Sequence, residues 1–320
     1  MTAPRRLATR ARRNAVSSWR AWRANRRRRN GDGDRKGGES WHYVGRISLD
    51  YPIVPKPRWG HGSPTHHALS EIIGRNREQY ATSLRRVLEQ HEHLVRIPVR
   101  APTRSREPRW INGALPGLDA AVLYSMVAEH RPSTYLEIGS GHSTKFARRA
   151  CDDHDLATRI ASIDPAPHTE IDDLCDEVIR SGLEDVDLAV FDQLQPGDIL
   201  FIDNSHRCLQ NSDVTVAFLD VLPALPPGVL VHFHDVFLPD DYPAAVADQF
   251  YSEQYVLAAA LLAEGPRLRI VMPSWYVSAD AELAVILDPL WSHPGFEDVQ
   301  RHGASFWLET GSSPTHGPHP

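Results

Sequence analysis

Cysteine is scarce in this chain. Cys151, Cys175 and Cys208 are the only three in 320 residues. The number is odd and the spacing fits no zinc motif, which argues against a disulfide framework and for a reducing compartment. Long apolar runs are missing as well. The longest, such as Val256–Ala263, fall far short of the roughly 20 residues that span a bilayer. No apolar segment follows the basic N-terminus, so no secretory signal is expected. The Arg5-Arg6 pair lacks the apolar stretch of a twin-arginine leader. No internal repeat is visible. A cytoplasmic globular protein is expected, and 41% hydrophobic residues suffice for one large domain with appendages or two small ones.

Charge is unevenly placed. Residues 1–40 carry twelve Arg and one Lys against Asp32, Asp34 and Glu39, a net of +10, while the remaining 280 residues carry −16. Leu7, Ala11, Ala15, Trp19 and Trp22 fall at helical spacing between the arginines. Two readings of this basic arm stand: an amphipathic helix that settles on anionic lipid or nucleic acid, and a solvated tail, disordered in isolation. Residues 41–114 are rich in Pro, His and Trp, with a helical period over Ala68–His93, and read as a helical extension or lid. His61, His66 and His67 there read as loop histidines rather than metal ligands. The Gly/Ser/Pro/His-rich tail, residues 311–320, is expected to be disordered.

Between them, over residues 115–310, short apolar runs alternate with helical ones. The expected strands are Thr134–Ile138, Arg159–Ile163, Glu177–Arg180, Ile199–Ile202, Val229–His234, Leu268–Met272 and Ser305–Leu308. Helices are expected at Leu118–His130, Ser143–Cys151, Glu170–Asp176, Asp213–Leu222 and Ser252–Ala263. Such alternation gives an α/β fold, a doubly wound Rossmann-like sheet with its ligand cleft at the carboxyl ends of the strands.

The turn Gly139-Ser140-Gly141-His142-Ser143-Thr144 follows the first strand and opens a helix. It has two glycines of a dinucleotide fingerprint, with Thr144 in the third place. The second strand ends in Asp164, where an acid grips ribose hydroxyls. Glu137, just before the turn, is expected to point a carboxylate into the cradle, which disfavours a diphosphate and favours an ammonium or sulfonium group.

These residues resemble a known family. YLEIGSG followed by SIDP looks like motif I and the ribose-binding acid of class I S-adenosylmethionine-dependent methyltransferases. GDILFIDNSH and PPGVLVHFHDVFLPDDYP resemble strands four and five of small-molecule O-methyltransferase-like members. The resemblance covers roughly Asn112–Glu309. It implies seven strands, mostly parallel, closed by an antiparallel last strand. It also implies that Gly139, Ser140 and Gly141 line the methionine part of the cofactor, that Glu137 orients its amino group, and that Asp164 holds the ribose. Ser143 would meet the carboxylate, and Leu183 would supply apolar contact to adenine. Asp203 belongs to the same cofactor set.

Methyl transfer from a sulfonium needs an aimed nucleophile and a base for its proton. His206 and His234 are the candidate bases, with Asp235 beside them, and His232 is expected on the opposite strand face. Resemblance to catechol-type enzymes suggests a divalent metal at Asp203 and Asp235. Val236 stands where their Asn would be, so His206 or His234 would have to complete a mixed His/Asp site. The leading expectation is methyl transfer to a hydroxyl, ahead of an amine, of a small molecule or sugar. The alternatives are an NAD-binding oxidoreductase and a non-catalytic protein whose arm binds nucleic acid or membrane. Oligomeric state is not legible.

Overall fold

The computed structural model describes residues 53–102, 105–167, 169–263 and 268–311. The basic arm and the tail from residue 312 lie outside the described residues, as does its expected contact with lipid or nucleic acid. Strands β1 (Thr134–Ile138), β2 (Arg159–Ile163), β3 (Glu177–Ile179), β4 (Ile199–Ile202), β5 (Leu230–Phe233), β6 (Leu268–Pro273) and β7 (Phe306–Thr310) form one sheet in the order β3-β2-β1-β4-β5-β7-β6. The pairs from β3 through β5 are parallel, and β7 runs antiparallel between β5 and β6. The doubly wound sheet and the antiparallel closure are therefore as expected. The apolar runs specify them because a strand covered on both faces has no polar face to show: every residue of β1, β4 and β5 is buried.

Order reverses between β1 and β4, which neighbour one another although two strands intervene in sequence. A crevice opens at the carboxyl ends of strands at such a reversal. The helices α1 (His67–Gly74), α2 (Arg77–Glu89), α3 (Gly117–His130), α4 (His142–Asp153), α5 (Asp213–Val216, continued by Ala217–Val221 and Leu222–Ala224), α6 (Glu253–Leu262) and α7 (Ser274–Ala279) flank the sheet. Among the described residues no helix is long and apolar enough to cross a membrane.

Two helix expectations give way to tertiary contacts. The run Ala68–His93 is broken at Gly74–Asn76, where the Asn76 amide donates to the Ile270 carbonyl of β6 at 3.2 Å. The segment Glu170–Asp176 keeps only one tight turn, Asp172–Leu174. Asp176 is drawn onto β2 instead, its N–H donating to Ile160 O and its carboxylate accepting from Ile160 N, both at 2.8 Å. The extension shares the main core: Leu69, Ile73, Tyr80, Leu84 and Val87 belong to one apolar cluster with the sheet.

Candidate functional site

The cradle is built on an unusually close approach of two strand ends. Gly139 has φ +77°, and a Cβ there would fall 1.9 Å from the Asp203 carbonyl oxygen, so only glycine fits. Asp203 N donates to Ile138 O at 2.8 Å and Gly139 N to Ile163 O at 2.9 Å. Asp164 then fixes the turn: one carboxylate oxygen accepts from Ser140 N at 2.7 Å and Ser140 Oγ at 3.0 Å, the other from Ala166 N at 2.8 Å. The second oxygen, with a single donor, keeps a lone pair free for a further donor such as a ribose hydroxyl.

A cleft of about 360 Å³ lies in front of this turn, within the range of small-ligand sites. Gly139, Ser140, Asp164, Leu183, Asp203 and His206 line it. Glu137, Gly141 and Ser143 do not. Glu137 is fully enclosed behind the turn. Thr144 Oγ donates to it while accepting from Gly141 N at 3.0 Å, and the hydroxyls of Tyr135 and Ser143 also reach it. Burial pushes the Glu137 carboxyl up to about 8, despite those hydroxyls, so it is largely uncharged at neutral pH. The charge argument against a diphosphate therefore weakens. Thr144 departs from glycine because its hydroxyl ties the turn to this acid.

The second wall is an alternation of acids and imidazoles at the ends of β4 and β5. His206 and Asp235 both adopt left-handed backbone, at φ 60° and 53°, conformations non-glycine residues hold only when surroundings impose them. The Asn204 side chain does part of the imposing. It accepts from His206 N and donates to Glu253 Oε1, each at 2.8 Å. Glu253 Oε2 meets His206 Nδ1 at 2.9 Å. His206 Nε2 then faces Asp203 Oδ1 at 3.3 Å and Asp235 Oδ2 at 3.7 Å. His234 Nδ1 lies 3.4 Å from Asp203 Oδ1 and 3.6 Å from Asp235 Oδ1, with its Nε2 3.9 Å from Asp119. Asp203 is the member open to the cleft, its side chain 39% exposed against 5% for His206.

The electrostatics follow from this packing. Burial opposes charge on His206 and His234, but the surrounding carboxylates outweigh it. His206 is raised well above its usual value by Asp203 and Glu253, and His234 rises to about 9 through Asp203 and Asp235. In return the two imidazoles hold Asp203 well below the carboxylate range, against the effect of burial. Burial keeps the Glu253 and Asp119 carboxyls above theirs.

His232 needs a correction. Its ring lies on the same side as His234, with centroids 6.0 Å apart, because residues two apart in a strand share a face. It is deeper in the core, stacked on Phe201 at 3.7 Å and bonded to Ser305 Oγ at 2.7 Å. Burial lowers it well below the usual histidine value. Among the described residues no three His, Cys, Asp or Glu side chains are arranged to hold a metal ion.

Two participants are not legible in sequence. Glu253 and Asp119 sit in the first turns of α6 and α3, where acids are ordinary because they suit the helix dipole. Asp119 also accepts from Ala304 N at 2.7 Å and Ser305 N at 3.1 Å, docking the approach to β7 behind His234. Tyr242 and Trp275 are buried in a cluster with Phe237, Val246 and Ala304. The loop after β5 lies beneath the N-terminal extension: Asp241 N donates to Trp59 O at 3.1 Å, and His66 N to Pro239 O at 3.1 Å.

Residues 136–236, about a third of the chain, match the model of a family described as a methyltransferase domain. The match runs from β1 to Asp235 and Val236, so it contains the glycine turn, Asp164, Asp203 and His206. Over these residues the chain is similar to a methyltransferase domain. Among solved structures, the chain is similar to the SAH-bound methyltransferase PaMTH1 of Podospora anserina, with 16% identity over 71% of this chain and 88% of that one and a TM-score of 0.37. It is also similar to the O-methyltransferase TomG of Streptomyces achromogenes, involved in tomaymycin synthesis and solved with SAM, with 16% identity over 72% and 90% and a TM-score of 0.35. No curated protein matches the sequence. Of the activities the sequence left open, the family match favours the methyltransferase over an NAD-binding oxidoreductase and a non-catalytic protein.

Proposed function

We propose that this enzyme methylates a hydroxyl group of a small molecule or sugar in the cytoplasm, with His206 as the base. One observation carries the reading: a single cleft is lined both by Gly139, Ser140 and Asp164 and by Asp203 and His206. S-adenosylmethionine, when bound, supplies a methyl group on a cationic sulfur. Asp164 fits it as an acceptor for ribose hydroxyls, Leu183 as an apolar wall, and Gly139 and Ser140 as the floor. Glu137, Gly141 and Ser143 act from behind, by holding the turn in shape.

His206 Nε2 accepts the proton of the acceptor hydroxyl as its oxygen attacks. Glu253 holds Nδ1–H and stabilises the imidazolium that results, as a carboxylate behind a histidine does. The carboxylates of Asp203 and Glu253 favour the protonated form of His206. A cation brought in beside Asp203 competes for the same negative charge and lowers the imidazole's hold on that proton. His234 keeps Asp203 ionised and in place. No step is routed through a metal, since the four side chains are engaged in ion pairs with one another. Activity lost on chelation and restored by added Mg²⁺ or Mn²⁺ would place an ion at Asp203 and Asp235 and remove that role from His234.

The test is calorimetric binding of S-adenosylhomocysteine and NAD⁺, followed by transfer of labelled methyl to hydroxyl-bearing acceptors with wild type and His206→Ala. Binding of NAD⁺ alone, or full activity in the variant, would end the reading.

A further inference from the structure

The cleft holds a cation that the methyl-transfer chemistry leaves unused. Of the described residues lining it, Arg207 is the sole Lys or Arg, facing Asp164, Glu184, Asp203 and Asp213. It pairs with none of them. Its Nε donates to the Gln249 carbonyl at 2.9 Å and one Nη to the Ser205 carbonyl at 2.8 Å, while its carbon lies 5.2 Å from the centre of the Tyr251 ring. The guanidinium is thus held in a fixed plane by neutral groups. Its remaining N–H donors, on the two terminal nitrogens, have no protein acceptor among the described residues. A planar fork held this way suits a carboxylate or phosphate.

The placement adds a distance. The Tyr251 ring that carries Arg207 also lies 4.7 Å from the His206 ring. The guanidinium and the base therefore border the same aromatic ring. We infer that the acceptor is an anionic ring compound, which places a carboxylate or phosphate on Arg207 and its hydroxyl at His206, the two groups that share Tyr251. Hydroxybenzoates and uronic acids have that shape. This inference rests on the methyl-transfer reading and narrows its substrate class.

The experiment uses the full chain saturated with S-adenosylhomocysteine and titrated with matched probes: 3,4-dihydroxybenzoate against catechol, and glucuronate against glucose. Wild type should bind the carboxylated member of at least one pair about tenfold tighter, the scale of a charge-assisted hydrogen bond. Arg207→Gln should erase the preference and Arg207→Lys should keep part of it, with S-adenosylhomocysteine affinity unchanged in both. Equal binding of both members by wild type, or a preference that survives Arg207→Gln, overturns the subsite. So does a tenfold loss of S-adenosylhomocysteine affinity in Arg207→Gln without change in the probe pairs, which would assign the guanidinium to the cofactor's own carboxylate. If wild type bound no S-adenosylhomocysteine, the methyl-transfer reading itself would fail.

Discussion

The two walls of the cleft are built on opposite principles. The glycine turn after β1 is local: Glu137, Thr144, Gly141, Ser140 and Asp164 satisfy one another within 28 residues of sequence. The wall after β4 and β5 is assembled from distant segments, with Asp119, Asp203, His206, His234, Asp235 and Glu253 brought together as alternating charges. The first wall has a fixed shape, which suits binding. In the second the charges are close and partly desolvated, where protonation responds strongly to any new charge.

Breaking the second wall should cost most. His206→Ala is expected to lower kcat by about 10²–10⁴-fold while S-adenosylhomocysteine affinity by calorimetry stays within about threefold, because the cradle does not depend on the imidazole. If His234→Ala gave that loss and His206→Ala did not, the roles of the two histidines would be exchanged. Glu253→Gln should lower kcat less, about 10–100-fold, and shift the pH–rate profile. The Glu253 carboxylate favours the charged imidazole, so removing its charge lowers the His206 pKa, and the rise of activity with pH should move to lower pH. A purely structural role would lower activity without that shift.

Breaking the first wall should be felt in binding. Asp164→Ala removes the acceptor for three donors of the turn and the proposed ribose contact. S-adenosylhomocysteine should bind about tenfold or more weakly, roughly 1.4 kcal/mol, with a smaller effect on kcat. An unchanged dissociation constant would remove Asp164 from the cofactor site.

Raised pKa values in both walls predict stability that falls as pH rises, over different windows. His234 has its pKa raised to about 9 in the folded chain, so its stabilising effect is complete below the unfolded value near 6.5 and is lost as pH rises through about 9. Midpoints of urea unfolding from pH 6 to 10 should show this fall, and His234→Gln should flatten it. Glu137 has its carboxyl raised to about 8, so it weighs against stability progressively from pH 4.5 to 8. Glu137→Gln should therefore have the smallest effect of all at pH 7, within a few degrees in Tm and about threefold in S-adenosylhomocysteine affinity. A large loss would mean the acid acts as a charge after all.

The difference between the walls also sets how much of each was legible. Gly139, Ser140 and Asp164 could be read because a strand, a tight turn and a second strand ending in an acid are short-range patterns. Asp203, His206, His234 and Asp235 could be picked out as chemistry-bearing residues at strand ends, though not how they pair. Period two should have placed His232 with His234, and the strand pairing does. Glu253 and Asp119 carried no signal, since a helix's first turn accepts an acid for its own electrostatic reasons.

The sequence by itself determined the parallel sheet, its strand spans and the cradle, because burial on both faces and the turn chemistry act over a few residues. Tertiary structure decided the charge states. Glu137 was expected to be a carboxylate aimed at the ligand, and complete burial behind Thr144 makes it a largely neutral brace. The two histidines were expected as ready bases, and the carboxylates gathered from α3, β4, β5 and α6 give them their protons. Those shifts depend on which side chains meet in space and how much water is excluded, and no local pattern encodes either.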